Sequence, residues 1–232
     1  MTVAALDVSS VGTVIETARR DGCARITATE LFSGAYLDQL QQAGETFLSA
    51  ALAMPDRYNL KKKPWLMLSR RLPLAPDHPL RQAVGRVQAF IAAIADDPMV
   101  CFGAEFWVTV PSMTPYAHSQ VWHRDREAAT EWKLFLPLRP IGVEQGPLEY
   151  VRGSHRGDED LCPRQSYPTH EIAVPADRVM TCTGPAGVGV VANTAGIHRG
   201  GRMTAGVRLQ AVWIFLPATA QPWSRPMIAG GR

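Results

Sequence analysis

Apolar residues keep to one helical face after Ser33, at Leu37, Leu40, Phe47, Leu48 and Ala51. Ser33 suits an N-cap, and Pro55 closes the segment. A second helical stretch carries Leu80, Ala83, Val84, Val87, Ile91 and Ile94, with Asp77 as its cap and Asp96-Asp97-Pro98 as its stop. Between them, from about 55 to 76, proline and basic residues predict irregular chain. From Val100 the pattern becomes short β-branched and aromatic runs between Gly and Pro turns. CFGAEFWVTV, EWKLFLPLR, PLEYV, HEIAV, RVMTC, GVGVVAN and VRLQAVWIFL are seven strand candidates, closely spaced as in an antiparallel sandwich or barrel. The expected architecture is α+β in a single domain, 1–232: a mainly helical layer over 1–99, packed on a jelly-roll core over 100–217, then a surface tail over 218–232.

Composition narrows the function classes. A chain of 232 residues, 46% hydrophobic, can bury a core without staples. No run approaches the roughly 18 apolar residues of a spanning helix, and the N-terminus lacks a secretory pattern. Cys23, Cys101, Cys162 and Cys182 are scattered without a Cys-x-x-Cys pair, which speaks against a zinc knuckle or disulfide framework and for the cytoplasm. A net charge of +3 is too small for a nucleic-acid binder. The basic cluster Lys61, Lys62, Lys63, Arg70 and Arg71 reads as a solvated loop or as a docking patch for an anionic substrate.

In VWHRD, His123 and Asp125 stand two apart, so on an extended chain both side chains reach one face. His198, between the runs GVGVVAN and VRLQAVWIF, is the candidate third ligand. Two histidines and one carboxylate on one face of an octahedron suit non-haem Fe(II) and oxygen chemistry. Arg208 lies in an apolar strand, where a cation needs an anion. Its two-pronged guanidinium matches the distal carboxylate of 2-oxoglutarate; the alternative is an outward or protein-paired arginine.

Three blocks carry a resemblance: WHRD (122–125), GPLEYVRGSHR (146–156) and HRGGRMTAGVR (198–208). In order and spacing, over roughly 100–217, the chain resembles the phytanoyl-CoA dioxygenase family of 2-oxoglutarate oxygenases. The resemblance implies a cupin-like double-stranded β-helix, iron held by His123, Asp125 and His198, and 2-oxoglutarate clamped by Arg208. It further implies use of O2, release of succinate and CO2, and hydroxylation of a small-molecule metabolite. Many members place a serine where this chain has Gly200, and some space the arginine one residue further. Thr204 and Lys133 are then the candidates for the second cosubstrate contact.

Other residues have plainer readings. His155 suits a turn, and His118 and His170 suit loops. Trp107, Trp122 and Trp132 belong to a core or a pocket wall, and Arg124 and Arg126 to solvent or a substrate anion. HRD also opens the protein-kinase catalytic loop, but Thr130 stands where that loop needs Asn, and no Asp-Phe-Gly follows. A cupin-type isomerase or lyase, or a non-catalytic binding roll, would share the fold; the single carboxylate and Arg208 disfavour both.

Overall fold

The computed structural model describes residues 8–60, 63–69, 74–112, 118–125, 127–158, 160–162 and 172–220. Helix α1 (Gly12–Asp21) leads into strand β1 (Cys23–Thr27) and the one-turn helix α2 (Ala28–Leu31). Ser33 caps α3 (Gly34–Ala53), its hydroxyl accepting from the Tyr36 amide at 3.3 Å, and Leu40, Phe47, Leu48 and Ala51 are buried as the pattern predicts. The next helical stretch starts one residue later than expected. His78 is its cap, Nδ1 accepting from the Leu80 amide at 3.2 Å, and Pro79 supplies the preset first-turn φ. It runs as α5 (Pro79–Gln82) and α6 (Val84–Ala95), and Asp96 ends it in a left-handed conformation, φ 53°.

The N-terminal part is not only a helical layer. Besides β1, the region expected to be irregular holds α4 (Pro55–Tyr58), β2 (Asn59–Leu60) and β3 (Lys63–Leu68). Trp65, Leu66, Met67 and Leu68 are all buried, so the KPWLML run gains its order by burial against the next strand. The rest follow as β4 (Met99–Thr109), β5 (Trp132–Pro137), β6 (Leu148–Val151), β7 (Val179–Thr181), β8 (Val188–Asn193), β9 (His198–Gly200) and β10 (Arg208–Pro217). Six of the seven strand candidates form. The described part of the HEIAV run, 172–174, carries no strand, and Pro175, without an amide proton for a ladder, leads into a short 3-10 turn at Ala176–Arg178. His170, Arg126, Lys61, Lys62, Arg70, Arg71 and most of the expected tail lie outside the described residues.

Among the described residues all strand pairs are antiparallel, in a seven-stranded sheet ordered β1-β8-β5-β10-β4-β3-β2 and a three-stranded sheet ordered β7-β6-β9. Alternation along β10 assigns the two faces of the large sheet. Leu209, Ala211, Trp213 and Phe215 join the core with the helices, and the Trp213 indole N–H donates to the Leu80 carbonyl at 2.9 Å. Val212 and Ile214 face the other way, into a second core with Tyr150 of β6 and Phe135 of β5. Each such large side chain, fully buried, stabilises the fold by roughly 1.5–3 kcal/mol. Arg208 and Gln210 share the face of Val212 and Ile214 at the open end of this inter-sheet space, where both line a cavity. No helix among the described residues is long and apolar enough to cross a membrane.

Candidate metal centre

His123 and His198 are direct partners in an isolated antiparallel bridge, each amide donating to the other's carbonyl at 2.9 Å. Their rings lie 4.2 Å apart. His123 thus extends the small sheet beyond β9 by one residue pair, rather than sitting in a full strand. The Asp125 amide donates to the Thr194 carbonyl at 2.8 Å, which holds this segment against the turn after β8. That turn needs glycine at 196, since a Cβ there would stand 2.0 Å from the Tyr150 hydroxyl oxygen.

The histidine tautomers follow from the backbone. His123 Nδ1 lies 2.8 Å from the Val121 carbonyl and His198 Nδ1 lies 2.9 Å from the Gly196 carbonyl. A carbonyl only accepts, so Nδ1 carries the proton in both rings and Nε2 is left with its lone pair free to ligate. Those Nε2 atoms stand 3.7 Å and 3.6 Å from the Asp125 carboxylate oxygens. Burial, reinforced by His198, pushes the His123 pKa down to about 3, and burial lowers His198 likewise, so both rings are neutral. Two neutral imidazoles and a carboxylate, with candidate ligand atoms all within 4.8 Å of one another, can hold one divalent ion.

Lys133, on β5 of the large sheet, reaches across to this group. Its Nζ lies 2.5 Å from Asp125 Oδ2 and 3.0 Å from Glu131 Oε1. Burial alone would raise Asp125, but the ammonium holds it well below the usual carboxylate range. Burial would likewise lower Lys133, and its two carboxylate partners keep it charged. Glu131, 2% exposed, moves the other way: burial raises it, outweighing Lys133.

These groups open onto a cavity of about 270 Å³, lined also by Arg208, Gln210, Thr109 and Gly200. Arg208 donates weakly to the Gln145 carbonyl at 3.4 Å and the Thr109 hydroxyl at 3.3 Å. Its Nε is buried without a hydrogen-bond partner, and it forms no ion pair with a described residue. Burial lowers its pKa to about 10, leaving it cationic at neutral pH.

No family model and no curated protein matches the sequence. Solved structures do. The non-haem α-ketoglutarate-dependent epimerase SnoN from nogalamycin biosynthesis aligns with TM-score 0.65 and 17% identity, over 97% of this chain and 89% of its own. SnoN has also been solved in complex with Fe3+, α-ketoglutarate and nogalamycin RO. AviO1 from Streptomyces viridochromogenes Tue57 aligns with TM-score 0.66 and 21% identity, over 94% of this chain and 99% of its own. The non-haem α-ketoglutarate-dependent carbocyclase SnoK aligns with TM-score 0.64 and 17% identity, over 94% and 88%. The chain has the fold of these proteins.

Of the expected site residues, the structure brings His123, Asp125, His198, Arg208 and Lys133 to one cavity. Lys133 spends its charge on Asp125 and Glu131. Thr204 is not brought there: it is exposed, on a turn whose amides at Thr204 and Ala205 donate to the Glu144 carbonyl. Thr109 and Gln210 stand at the cavity instead; both are polar positions in otherwise apolar strands, the signal that had marked Arg208. Trp107 lines the cavity, while Trp122 and Trp132 belong to apolar cores. Arg124 is not solvated and does not line the cavity; it is buried, donating to the Ala195 carbonyl at 2.8 Å and to the Gly157 carbonyl. It ties the metal-site segment to the 194–197 turn. His155 sits in a 3-10 turn, as expected of a turn residue.

Proposed function

We propose that this chain is an Fe(II)- and 2-oxoglutarate-dependent oxygenase of small molecules, a single-domain protein whose two sheets form a double-stranded β-helix. The observation that carries the reading is the convergence, in one cavity, of a two-histidine, one-carboxylate cluster and an arginine that pairs with no carboxylate among the described residues. The donor set fits Fe(II): two imidazole nitrogens presented neutral and a carboxylate kept ionised, with room for further ligands on the cavity side. A zinc-type structural site would instead be closed by a fourth protein ligand. The fold shared with SnoN and SnoK supports the same class.

In this reading His123, Asp125 and His198 hold the metal, and Arg208 grips the distal carboxylate of 2-oxoglutarate with two parallel hydrogen bonds. Thr109, already 3.3 Å from Arg208, orients that guanidinium. Lys133 occupies Asp125 Oδ2 and so directs the other oxygen of the carboxylate to the metal. The apolar part of the wall, including Phe102, Phe135 and Ile214, keeps water from the reacting centre. Bound iron would couple O2 and the oxidative decarboxylation of 2-oxoglutarate, to succinate and CO2, with oxidation of a substrate C–H bond. Hydroxylation is the outcome we propose; the names of SnoN and SnoK show that epimerisation and ring closure also occur on this fold. The four free cysteines suit a reducing cytoplasm. The test is anaerobic addition of Fe(II), then 2-oxoglutarate. A visible charge-transfer band, followed by O2-dependent succinate release, is the expected result, and the absence of both would refute the reading.

A further inference from the structure

Gln210 on β10 and Gln120 in the 3-10 turn His118–Gln120 are each 7% exposed, and both line the cavity. Neither carboxamide has a hydrogen-bond partner among the described residues, and neither is sealed inside protein. Their polar atoms therefore open onto the cavity, each amide with two N–H donors and a carbonyl acceptor. Buried polar groups ordinarily find partners, so two free amides on one cavity call for a ligand that both donates and accepts. The strand register places Gln210. It stands directly opposite Trp107 of β4, as Arg208, on the same face, stands opposite Thr109. The arginine pair and the glutamine pair are one two-residue step apart, roughly 7 Å. The turn bearing Gln120 reaches the same region over Gly200 of β9. The Ser119 carbonyl and Arg208 Nη2 lie 3.5 Å and 3.6 Å from the point that a Cβ on Gly200 would occupy.

The charges around the cavity do not select an ionic partner for these amides. Among the described residues Lys63, Lys133 and Arg208 are matched by Asp125, Glu127 and Glu131, and both histidines are neutral. A divalent ion with a doubly charged 2-oxoglutarate leaves that balance unchanged. The middle of 2-oxoglutarate is two methylenes, which give an amide nothing to bond, so the glutamine pair is left to a second, neutral molecule. Trp107, beside Gln210, is part-exposed at the cavity, and its indole N–H is already given to Glu105 at 3.1 Å. The indole thus offers apolar surface and no free donor; the C–H face of a saturated ring suits its electron-rich face. Adjacent hydroxyls on such a ring meet a carboxamide twice, one donating to Oε1 and the other accepting from Nε2. The cavity, about 270 Å³, is smaller than the roughly 300–1,000 Å³ of ordinary small-molecule sites, which limits the recognised part to one ring.

We propose that Gln120 and Gln210 are the specificity-determining residues of the cavity, and that they recognise adjacent hydroxyls on a neutral saturated ring, as in a sugar unit, laid against Trp107. The proposal deepens the oxygenase reading and rests on it for the fate of the ring, but not for its binding. The probes are trans-1,2-cyclohexanediol, cyclohexanol, cyclohexylamine and cyclohexanecarboxylate. Each is titrated calorimetrically at neutral pH into anaerobic protein loaded with Fe(II) and 2-oxoglutarate, and into metal-free protein with excess 2-oxoglutarate. The diol should bind roughly tenfold more tightly than cyclohexanol, the worth of one or two neutral hydrogen bonds, and more tightly than either charged probe. Gln210→Leu and Gln120→Leu should each reduce that preference, and the double variant should abolish it. Neither should lower the melting temperature of the metal-free protein, because no hydrogen bond within the fold is lost. Equal affinity for diol and cyclohexanol, tighter binding of a charged probe, no binding of any probe, or a preference that survives the double substitution would overturn the proposal. So would a Gln210→Leu defect confined to 2-oxoglutarate affinity, or a clear fall in melting temperature, which would mark a role in the fold. The charge-transfer band of the loaded sample reports the oxygenase reading separately, so its loss and the loss of diol preference are distinct results.

Discussion

Lys133→Met tests the link between the two sheets most directly. The substitution keeps the length of the stem and removes the ammonium that lies 2.5 Å from Asp125 Oδ2 and 3.0 Å from Glu131 Oε1. Removing one partner of a buried ion pair costs roughly 3–5 kcal/mol when the other stays charged. Here both remaining partners can take up a proton, so the cost should depend on pH. Glu131 is already raised by burial with Lys133 opposing; without the lysine it rises further, and Asp125 loses the charge that held it low. An acid whose folded pKa lies above its unfolded value binds more protons when folded, so stability falls as pH rises between the two values. The lost stability should therefore be small near pH 5 and grow toward pH 8, by up to about 1.4 kcal/mol per pH unit for each affected acid. Summed over the window, a difference of about 1–3 kcal/mol between the pH extremes is expected. His123 and His198 titrate in both proteins and largely cancel in the comparison. The measurement is urea denaturation of wild type and variant, both metal-free, across this range. A deficit that is the same at every pH, or one that shrinks as pH rises, would refute the assigned charge pairing.

Three further predictions concern ligands. Alanine at His123, Asp125 or His198 should each weaken Fe(II) by more than the about 10–100-fold typical of a residue that only supports a ligand; wild-type affinity in any anaerobic iron titration would remove that residue from the centre. Arg208→Ala should weaken 2-oxoglutarate by about two to three orders of magnitude and spare iron, with Arg208→Lys in between, because charge survives but the two-pronged geometry does not; an unchanged dissociation constant would return Arg208 to a structural role. Gly200→Ser should fold normally, since a Cβ there meets the Ser119 carbonyl at 3.5 Å and Arg208 Nη2 at 3.6 Å, both ordinary contacts. Its hydroxyl, beside the guanidinium, should tighten 2-oxoglutarate by roughly the worth of one neutral hydrogen bond, several-fold; weakened binding in the same titration would contradict it.

The candidate metal-site residues were legible because their chemistry is local and unusual. A His-x-Asp pair, a later histidine and an arginine in an apolar strand stand out against any background, and the cavity contains all of them. What the pattern could not carry was anything decided by pairing across the chain. Lys133 is visibly odd in EWKLFLPL, but its partner is set by the arrangement of β5 against the 123–125 segment. Glu127 and Glu131 lie in a polar stretch where a carboxylate ordinarily means solvent, and only the folded chain shows two of their oxygens sealed off. Trp65 was hidden because its neighbourhood of prolines and lysines reads as loop; the strand there exists through its pairing with β4. β9 is three residues long and carries no periodic signal of its own. Thr204 was a candidate for the second cosubstrate contact because Gly200 stands where related chains carry a serine, and the turn that docks on Glu144 leaves it exposed.

The three candidate metal-site residues are oriented by two different means, and the difference matters for how the site responds to damage. Each histidine is aimed by the carbonyl two residues before it, Val121 for His123 and Gly196 for His198, and the pair is locked by reciprocal amide bonds. That geometry is written into short segments and survives as long as the bridge does. Asp125 has its backbone held by Thr194, but its carboxylate is aimed by Lys133 from the other sheet. The carboxylate is thus correctly placed only when the large sheet stands in its proper position over the small one, with the Tyr150, Phe135 and Val212 core filled between them. Loosening that core should disturb the charged ligand before the neutral ones. The last element of the centre to form would then be the one that completes a three-ligand face, so that metal affinity reports the docking of the two sheets.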